Sequence, residues 1–370
     1  MNFKNIFSTQ ADIPSAVQDL KDQLAGFDTN LILFFASPAY DPAALSKAMH
    51  SAFPRANTLG CSSSGEIISG RMMDQSVVAM AFGSSITSDY RAEVITDIRT
   101  DEHAVAKAVA SFEQHFGEPM NTMNPAEYVG IVLIDGLSGC EEVINEKIGD
   151  ATNVTFVGGS AGDDMQFKTT YVYANGKAYQ EAALLLLMKP TVPFSVLKTQ
   201  SFKESGAVLT VTETDEAARE VSSFNNKPAA VAYAEALGVA RETLSDFVFK
   251  NPLGLVLAED EPYVRSPRIV EDDRMLFHCN VRKGMDLSLL NSTDIIQDTK
   301  KALDTKVREM SQVSGLINFN CILRTLDLKE QERTQEYADL FADIPTVGFS
   351  TYGESYIGHM NQTATMLLFG

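Results

Sequence analysis

Three short stretches of this 370-residue chain set small hydroxyls and a carboxylate around glycine at matched spacing. In "GCSSSGE", Ser62 and Ser63 precede Gly65-Glu66; in "FSTYGE", Ser350 and Thr351 precede Gly353-Glu354; in "GGSAGDD", Gly159-Ser160 precede Gly162-Asp163. These residue types could bind an ammonium or guanidinium group, with Glu66 and Glu354 facing one crevice as a pseudo-symmetric pair. The plainer reading is a tight turn between strands. There the glycines supply positive φ or close backbone approach, and each carboxylate accepts N–H groups of its own turn. Both readings stand at this point.

Other chemistries fit less well. A nucleophile elbow needs G-x-S-x-G between a strand and a helix, whereas here the chain continues as strand. A phosphate cradle needs a lysine and a helix N-terminus behind its glycines. There is no HExxH or Walker pattern. A hydrolase or transferase using Cys61, Ser62 or Ser63 would have to borrow its base from a distant position, so it ranks last and the chain is read as no enzyme. Of five histidines, His50, His103 and His115 fall on amphipathic helical patterns, and His278 sits in "MLFHCNV" on a strand. His359, in "YIGHMNQT", stands where the first stretch has Arg71-Met72, so it departs from the repeat.

The elements that must position these residues repeat as well. An apolar run at 30–37 leads into "DPAALSKAMHSAF", where Asp41 can cap, Pro42 takes a first helical position, and Leu45, Met49 and Phe53 recur every four residues. The glycine turn follows, then a further strand. The same order is expected at 127–164, with Val143, Ile144 and Ile148 on one helix face, and at 315–354, with one helix over 327–341. Between these units, 196–215 reads as antiparallel strands turning at Ser205-Gly206. A helix at 227–238 ends at Gly238, 262–290 reads as three strands, and 294–313 is an amphipathic helix. The fold class expected is α/β, in two halves with mixed sheets flanked by helices, built on an internal strand-helix-strand-turn-strand repeat and divided near 222–228.

Length and composition bound the rest. A chain of this size buries more than one core, and a formal charge of −19 argues against nucleic acid as a partner. The first residues lack a basic and then apolar leader, so a cytoplasmic protein is expected. The most apolar run, 182–188, is far short of the roughly 20 residues a spanning helix needs, so no membrane partner is expected. Cys61, Cys140, Cys279 and Cys321 have no metal-binding or redox spacing and read as small buried hydrophobes.

Taken in order, "LGCSSSGEI", "VGGSAGDD", "NNKPAAVAYAEALG", "NPLGLVL", "FNCILR" and "GFSTYGE" with "HMNQT" resemble the FIST proteins, sensory modules with an N-terminal and a C-terminal FIST half. The resemblance covers roughly 28–370, with halves at 28–222 and 223–370. No output domain follows in this sequence, as in the stand-alone members, and "FNCILRTLDLKEQERTQEY" is most similar to the nitric-oxide-sensing NosP group. That resemblance implies a b-type haem and signalling through a separate histidine kinase or a diguanylate cyclase or phosphodiesterase. For other members it implies an amino-acid-like ligand. A haem ligand would be a neutral imidazole within an apolar wall, which points to His359 as the iron ligand before His278, with Tyr352, Tyr356, Ile357 and Met360 as wall. The alternative ligand site is Ser62, Ser63, Glu66, Ser160, Asp163, Ser350, Thr351 and Glu354. Self-association, as a homo-oligomer, is left open by the sequence.

Overall fold

The chain is an α/β protein of mixed sheets, and the computed structural model describes residues 2–86, 89–256 and 262–370. The first stretch runs β1 (Phe3–Ser8), α1 (Ile13–Gln23), β2 (Thr29–Ala36), α2 (Pro42–Ala52), β3 (Asn57–Ser62), β4 (Glu66–Ile68), β5 (Arg71–Met73) and β6 (Val77–Gly83). The second runs β7 (Asp89–Thr96), α3 (Ala104–Phe116), β8 (Val129–Ile134), α4 (Glu141–Ala151), β9 (Phe156–Ser160), β10 (Val172–Ala174), β11 (Lys177–Tyr179) and β12 (Ala182–Lys189). Then come β13 (Phe194–Gln200), β14 (Phe202–Asp215), β15 (Glu220–Phe224), β16 (Lys227–Pro228), α5 (Ala229–Leu237), β17 (Leu253–Val256), β18 (Pro262–Arg265), β19 (Pro267–Glu271), β20 (Arg274–Phe277), β21 (Asp286–Ser292) and α6 (Ile295–Met310). The last stretch runs β22 (Gly315–Cys321), α7 (Ile322–Glu330), α8 (Thr334–Asp339), β23 (Thr346–Thr351), β24 (Glu354–Tyr356), β25 (His359–Met360) and β26 (Thr363–Phe369).

By its contacts the chain forms two compact units, one of residues 1–198, 300–359 and 364–370, the other of 199–299 and 360–363. The first holds three six-stranded sheets, ordered β1-β6-β2-β3-β10-β11, β25-β24-β9-β8-β12-β7 and β13-β26-β22-β23-β4-β5. Each is built on a parallel pair, β2 with β3, β8 with β9, β22 with β23, flanked by an antiparallel strand, β6, β12 or β26. Why each second strand carries a glycine is steric. A Cβ at Gly60, Gly158 or Gly348 would stand 1.7, 1.7 or 2.1 Å from the carbonyl oxygen of Phe34, Val132 or Asn318 on the parallel neighbour. After its turn the chain leaves the sheet it came from: β4 pairs with β23, β24 with β9, and β10 with β3. The three sheets exchange strands in a closed cycle. Their inner faces share one core containing Phe35, Phe319, Phe349, Met80, Leu133 and Leu184, and the Phe35 and Phe349 rings lie 4.4 Å apart.

Local signals account for the helices. Asp41 accepts the Ala44 N–H at 2.8 Å, with Pro42 in the first turn of α2, so the start is fixed by cap and fixed φ together. Leu45 and Met49 are buried on its inner face. In α4, Ile144 and Ile148 are buried, but Val143 is 47% exposed and leaves the face expected for it. The single helix expected at 327–341 is two, α7 and α8, broken near Glu332, whose φ of 56° is left-handed.

In the second unit the strand order is β18-β17-β21-β14-β15-β20-β19, with β16 on β15. The two ends of that order, β18 and β19, are consecutive in the chain with Ser266 between them. Leu253, Phe224, Met275, Phe277 and Tyr233 of α5 fill the core, and α5 stops at left-handed Gly238 as its sequence predicts. Two expectations change. Ser205-Gly206 is no hairpin turn: β14 runs through it, with Gly206 at φ 96° where the pairing to β21 shifts register between Glu204 and Val208. The segment 262–290 makes four strands rather than three.

Candidate functional site

At the crossing point three serines stand at or next to the ends of the second strands, and all are buried: Ser62, Ser160 and Ser350. Their N–H groups donate to the carbonyls of Tyr171, Gly353 and Gly65 at 2.9, 2.8 and 2.8 Å. Their carbonyls accept from the N–H groups of Gly162, Tyr352 and Ser64 at 3.0, 3.1 and 3.2 Å. This six-bond ring joins each repeat to the next, with backbone polar groups of the three turns pairing across repeats.

Two of the three turns carry the same side-chain clip. Ser63 donates to Glu66 Oε1, while the N–H and hydroxyl of Ser76 donate to Oε2 at 3.0 and 2.6 Å; Thr351 donates to Glu354 Oε1 at 2.5 Å. Each carboxylate is thus bonded within its own repeat, to side-chain hydroxyls and, for Glu66, to the Ser76 N–H, rather than to N–H groups of its own turn as the plainer sequence reading had it. The ring also fixes the register of the middle repeat. Glu66 faces Phe349 and Glu354 faces Gly159, and the residue so placed in the middle repeat, facing Cys61, is Val172 and not Asp163. Ala161 stands there for Ser63 and Thr351, and Ala182 for Ser76. Hydroxyls and carboxylate are replaced together, since a lone buried carboxylate or hydroxyl would lack its partner.

What lies between Gly162 and Tyr171 is an eight-residue insertion, 163–170, in the place of a tight turn. Asp163 frames it: Oδ1 accepts the Phe167 N–H at 3.0 Å and the Tyr352 phenol, and Oδ2 accepts the N–H groups of Lys168 and Thr169 at 2.6 and 3.0 Å. Tyr352 Oη also accepts the Met165 N–H at 2.8 Å. The Asp164 N–H donates to Ser64 Oγ at 3.0 Å and its carboxylate accepts from Ser37 at 3.3 Å. Phe167, 60% exposed, stacks on the Tyr352 ring with centroids 5.3 Å apart. Asp164, Met165 and Phe167 all have positive φ although none is glycine.

The electrostatics follow burial. Glu66 is pushed up to about 8 by loss of water, against the pull of Ser63 and Ser76, with the charge of Asp164 adding to the rise. Partial burial also raises Asp164; Asp74 and Asp163 add to that and Lys329, paired with Asp74 at 2.9 Å, offsets it. Burial holds the Tyr352 phenol well above its usual range, and Asp163 reinforces this.

The other serine hydroxyls are spent on the scaffold. Ser350 meets Thr325 at 2.7 Å, Asn320 donates to Thr325 at 2.9 Å, and Arg324, buried on α7, donates to Asn320 at 3.0 Å. Ser62 Oγ accepts the Tyr171 N–H at 3.0 Å, and Ser160 reaches Glu141 at 3.4 Å. Sequence reasoning missed Asp164, Ser64, Ser37, Ser76 and Phe167. The signal available was the extra length between Gly162 and the next strand.

A FIST N domain family model matches residues 30–227 and a FIST C domain model matches 229–356. The chain belongs to the FIST family. It is therefore a member of a family of signal-transduction sensors. It is also similar to an uncharacterized protein, MJ1623, of Methanocaldococcus jannaschii, 20% identical over 284 residues, or 72% of this chain and 54% of the relative. The chain thus spans about half the length of that curated relative. The FIST N match ends just before α5, and the crossing ring draws on both halves: Ser62 and Ser160 from FIST N, Ser350 from FIST C.

A b-type haem can be tested against the residues of this FIST chain. His359 is buried, and its Cε1, Nε2 and Nδ1 lie 2.0, 2.9 and 3.0 Å from where a Cβ on Gly353 would stand. The ring tip, the edge that must face a porphyrin, is laid on the Gly353 backbone. This also gives Gly353 its reason, which is close approach; its φ is not positive, whereas that of Gly65 is 111°. Ile357, expected in the apolar wall, is 76% exposed in the β24–β25 turn, Tyr356 is half-buried and Met360 buried. The residues as placed do not fit a haem on His359. His278 lies just past β20 in the second compact unit, half-buried, with its N–H on the Ser266 carbonyl at 3.0 Å. Among the described residues no group of three or more His, Cys, Asp or Glu is placed to hold a metal ion, and no helix is long and apolar enough to cross a membrane.

Proposed function

We propose that this FIST protein is a sensory module for a small molecule bearing an ammonium or guanidinium group, amino-acid-like or simply cationic, received at the insertion 163–170. The observation that carries the reading is the exposed Phe167 ring stacked on Tyr352, in the same short insertion as the exposed acidic residue Asp164. An aromatic face and a carboxylate attract a cation together, the first through its quadrupole and the second through its charge. The loop is held in shape before any ligand arrives, which lowers the ordering cost of binding. Reception of nitric oxide by haem is the competing proposal. It is supported by the NosP-like sequence at 319–337 and not by the placement of His359. For either ligand, the output we propose is a separate histidine kinase or a diguanylate cyclase or phosphodiesterase, in the cytoplasm.

A thermal-shift series with amino acids, polyamines and haemin decides between them. A ligand that binds only the native state raises the melting temperature as its concentration rises. We expect a rise with an amine at millimolar concentration that Asp164→Asn and Phe167→Ala abolish. No rise with any amine, together with a Soret band that shifts on adding nitric oxide, would replace this reading by the haem one.

A further inference from the structure

We infer that residues 163–169 form a strap that moves as one piece about two pinned ends, held shut mainly by the phenol of Tyr352. The inference rests on the ligand reading only for its use, which is to control entry to the site just described.

The ends are fixed firmly. Gly162 donates to the Ser62 carbonyl, Tyr171 is bonded to Ser62 through its N–H and its carbonyl, and the Thr170 hydroxyl donates to buried Asp135. Gly162 is also the one residue type that fits the first end, because a Cβ there would stand 2.3 Å from Ser64 Oγ. Between the ends, residues 164–169 are all exposed and pair with no strand. Asp163 binds the N–H groups of Phe167, Lys168 and Thr169 to itself, so the loop keeps its shape when it leaves the surface.

Its hold on the rest of the fold is narrow. Tyr352 Oη bonds Asp163 and Met165, the Tyr352 ring lies under Phe167, and Asp164 touches Ser64 and Ser37. Little apolar area helps, since Met165 and Phe167 are 42% and 60% exposed. The other two turns contrast with this, being tight and clipped by Ser63–Glu66 and Thr351–Glu354. Opening would bare the buried Ser64 hydroxyl, which in the closed form accepts the Asp164 N–H.

Lys168 is the one trypsin site in the strap. The test is native-state trypsin cleavage after Lys168 and amide exchange at 164–169, in the full chain and in its Tyr352→Phe variant, with no ligand present. Loss of the phenol's bonds should speed both by about tenfold, the effect of one charge-assisted hydrogen bond, while the melting temperature stays near that of the parent. Phe167→Ala, on an exposed side chain, should act in the same direction if the phenol variant folds poorly. Unchanged cleavage and exchange in both variants, or exchange at 164–169 only with the free energy of global unfolding, would overturn the strap. A failed amine screen with a strap that opens would remove the ligand reading and leave this one standing.

Discussion

Glu66 is a carboxyl group out of reach of water, and its cost shows in its titration. Burial raises it from an ordinary 4.5 to about 8, even though Ser63 and Ser76 favour the charged form. The folded chain therefore keeps a proton that the unfolded chain has already lost. The stability this contributes is full below about 4.5 and drains away as pH rises through about 8. Glutamine fills the same space and stays neutral throughout. Glu66→Gln should thus gain on the parent by about 1 kcal/mol per pH unit across that window, read by urea denaturation at several pH values. A constant difference across the window would show that Glu66 is ionised in the folded protein at all of them.

At the scale of elements, the turn clip behaves as one interchangeable part. Ser63, Glu66 and Ser76 in the first repeat become Ala161, Val172 and Ala182 in the middle one, and the backbone ring beneath is the same. Removing the Ser63 hydroxyl alone leaves a buried oxygen of the Glu66 carboxyl without its partner, which costs about 1–3 kcal/mol. Placing valine at Glu66 alone strands two hydroxyls and an N–H. The triple variant Ser63→Ala, Glu66→Val, Ser76→Ala should be more stable than the sum of its singles by about 2 kcal/mol, measured by denaturant titration. Strict additivity would mean the three groups are not one clip. The same scale explains the helix break between α7 and α8. The apolar pattern at 327–341 is compatible with one helix, and only the left-handed turn at Glu332 ends the first one.

Over the whole first compact unit, the cyclic exchange of β4, β10 and β24 ties three sheets into a single cooperative structure. No sheet is complete without a strand from another repeat. Amides at the centres of β2, β8 and β22 should therefore exchange with one common free energy, that of global unfolding, despite lying far apart in sequence. A sheet whose amides exchange at a distinctly lower free energy would show that its borrowed strand detaches alone. Long-range closure of this kind also predicts slow folding, because strands on either side of the inserted segment must meet before the ring can form.

The sequence by itself determined the α/β class, the capped start of α2 and the Gly238 stop of α5, because these rest on local propensity, caps and the period of apolar residues, but not the strand count at 262–290 or the break between α7 and α8. It placed Ser62, Ser63, Glu66, Ser350, Thr351 and Glu354 around glycine turns; in the structure Ser63 lies in a turn and the others at the strand ends that flank the two turns. It could not decide which sheet receives each outgoing strand, since pairing between β4 and β23 depends on contacts some 280 residues apart. For the same reason it set Asp163 in register with Glu66. Only the ring of backbone bonds counts from Gly162 to Tyr171 and so reveals the insertion. The histidine that broke the repeat was visible in the sequence. That its ring lies on Gly353 was decided by close packing in the folded chain, which leaves no local mark in the sequence beyond a glycine.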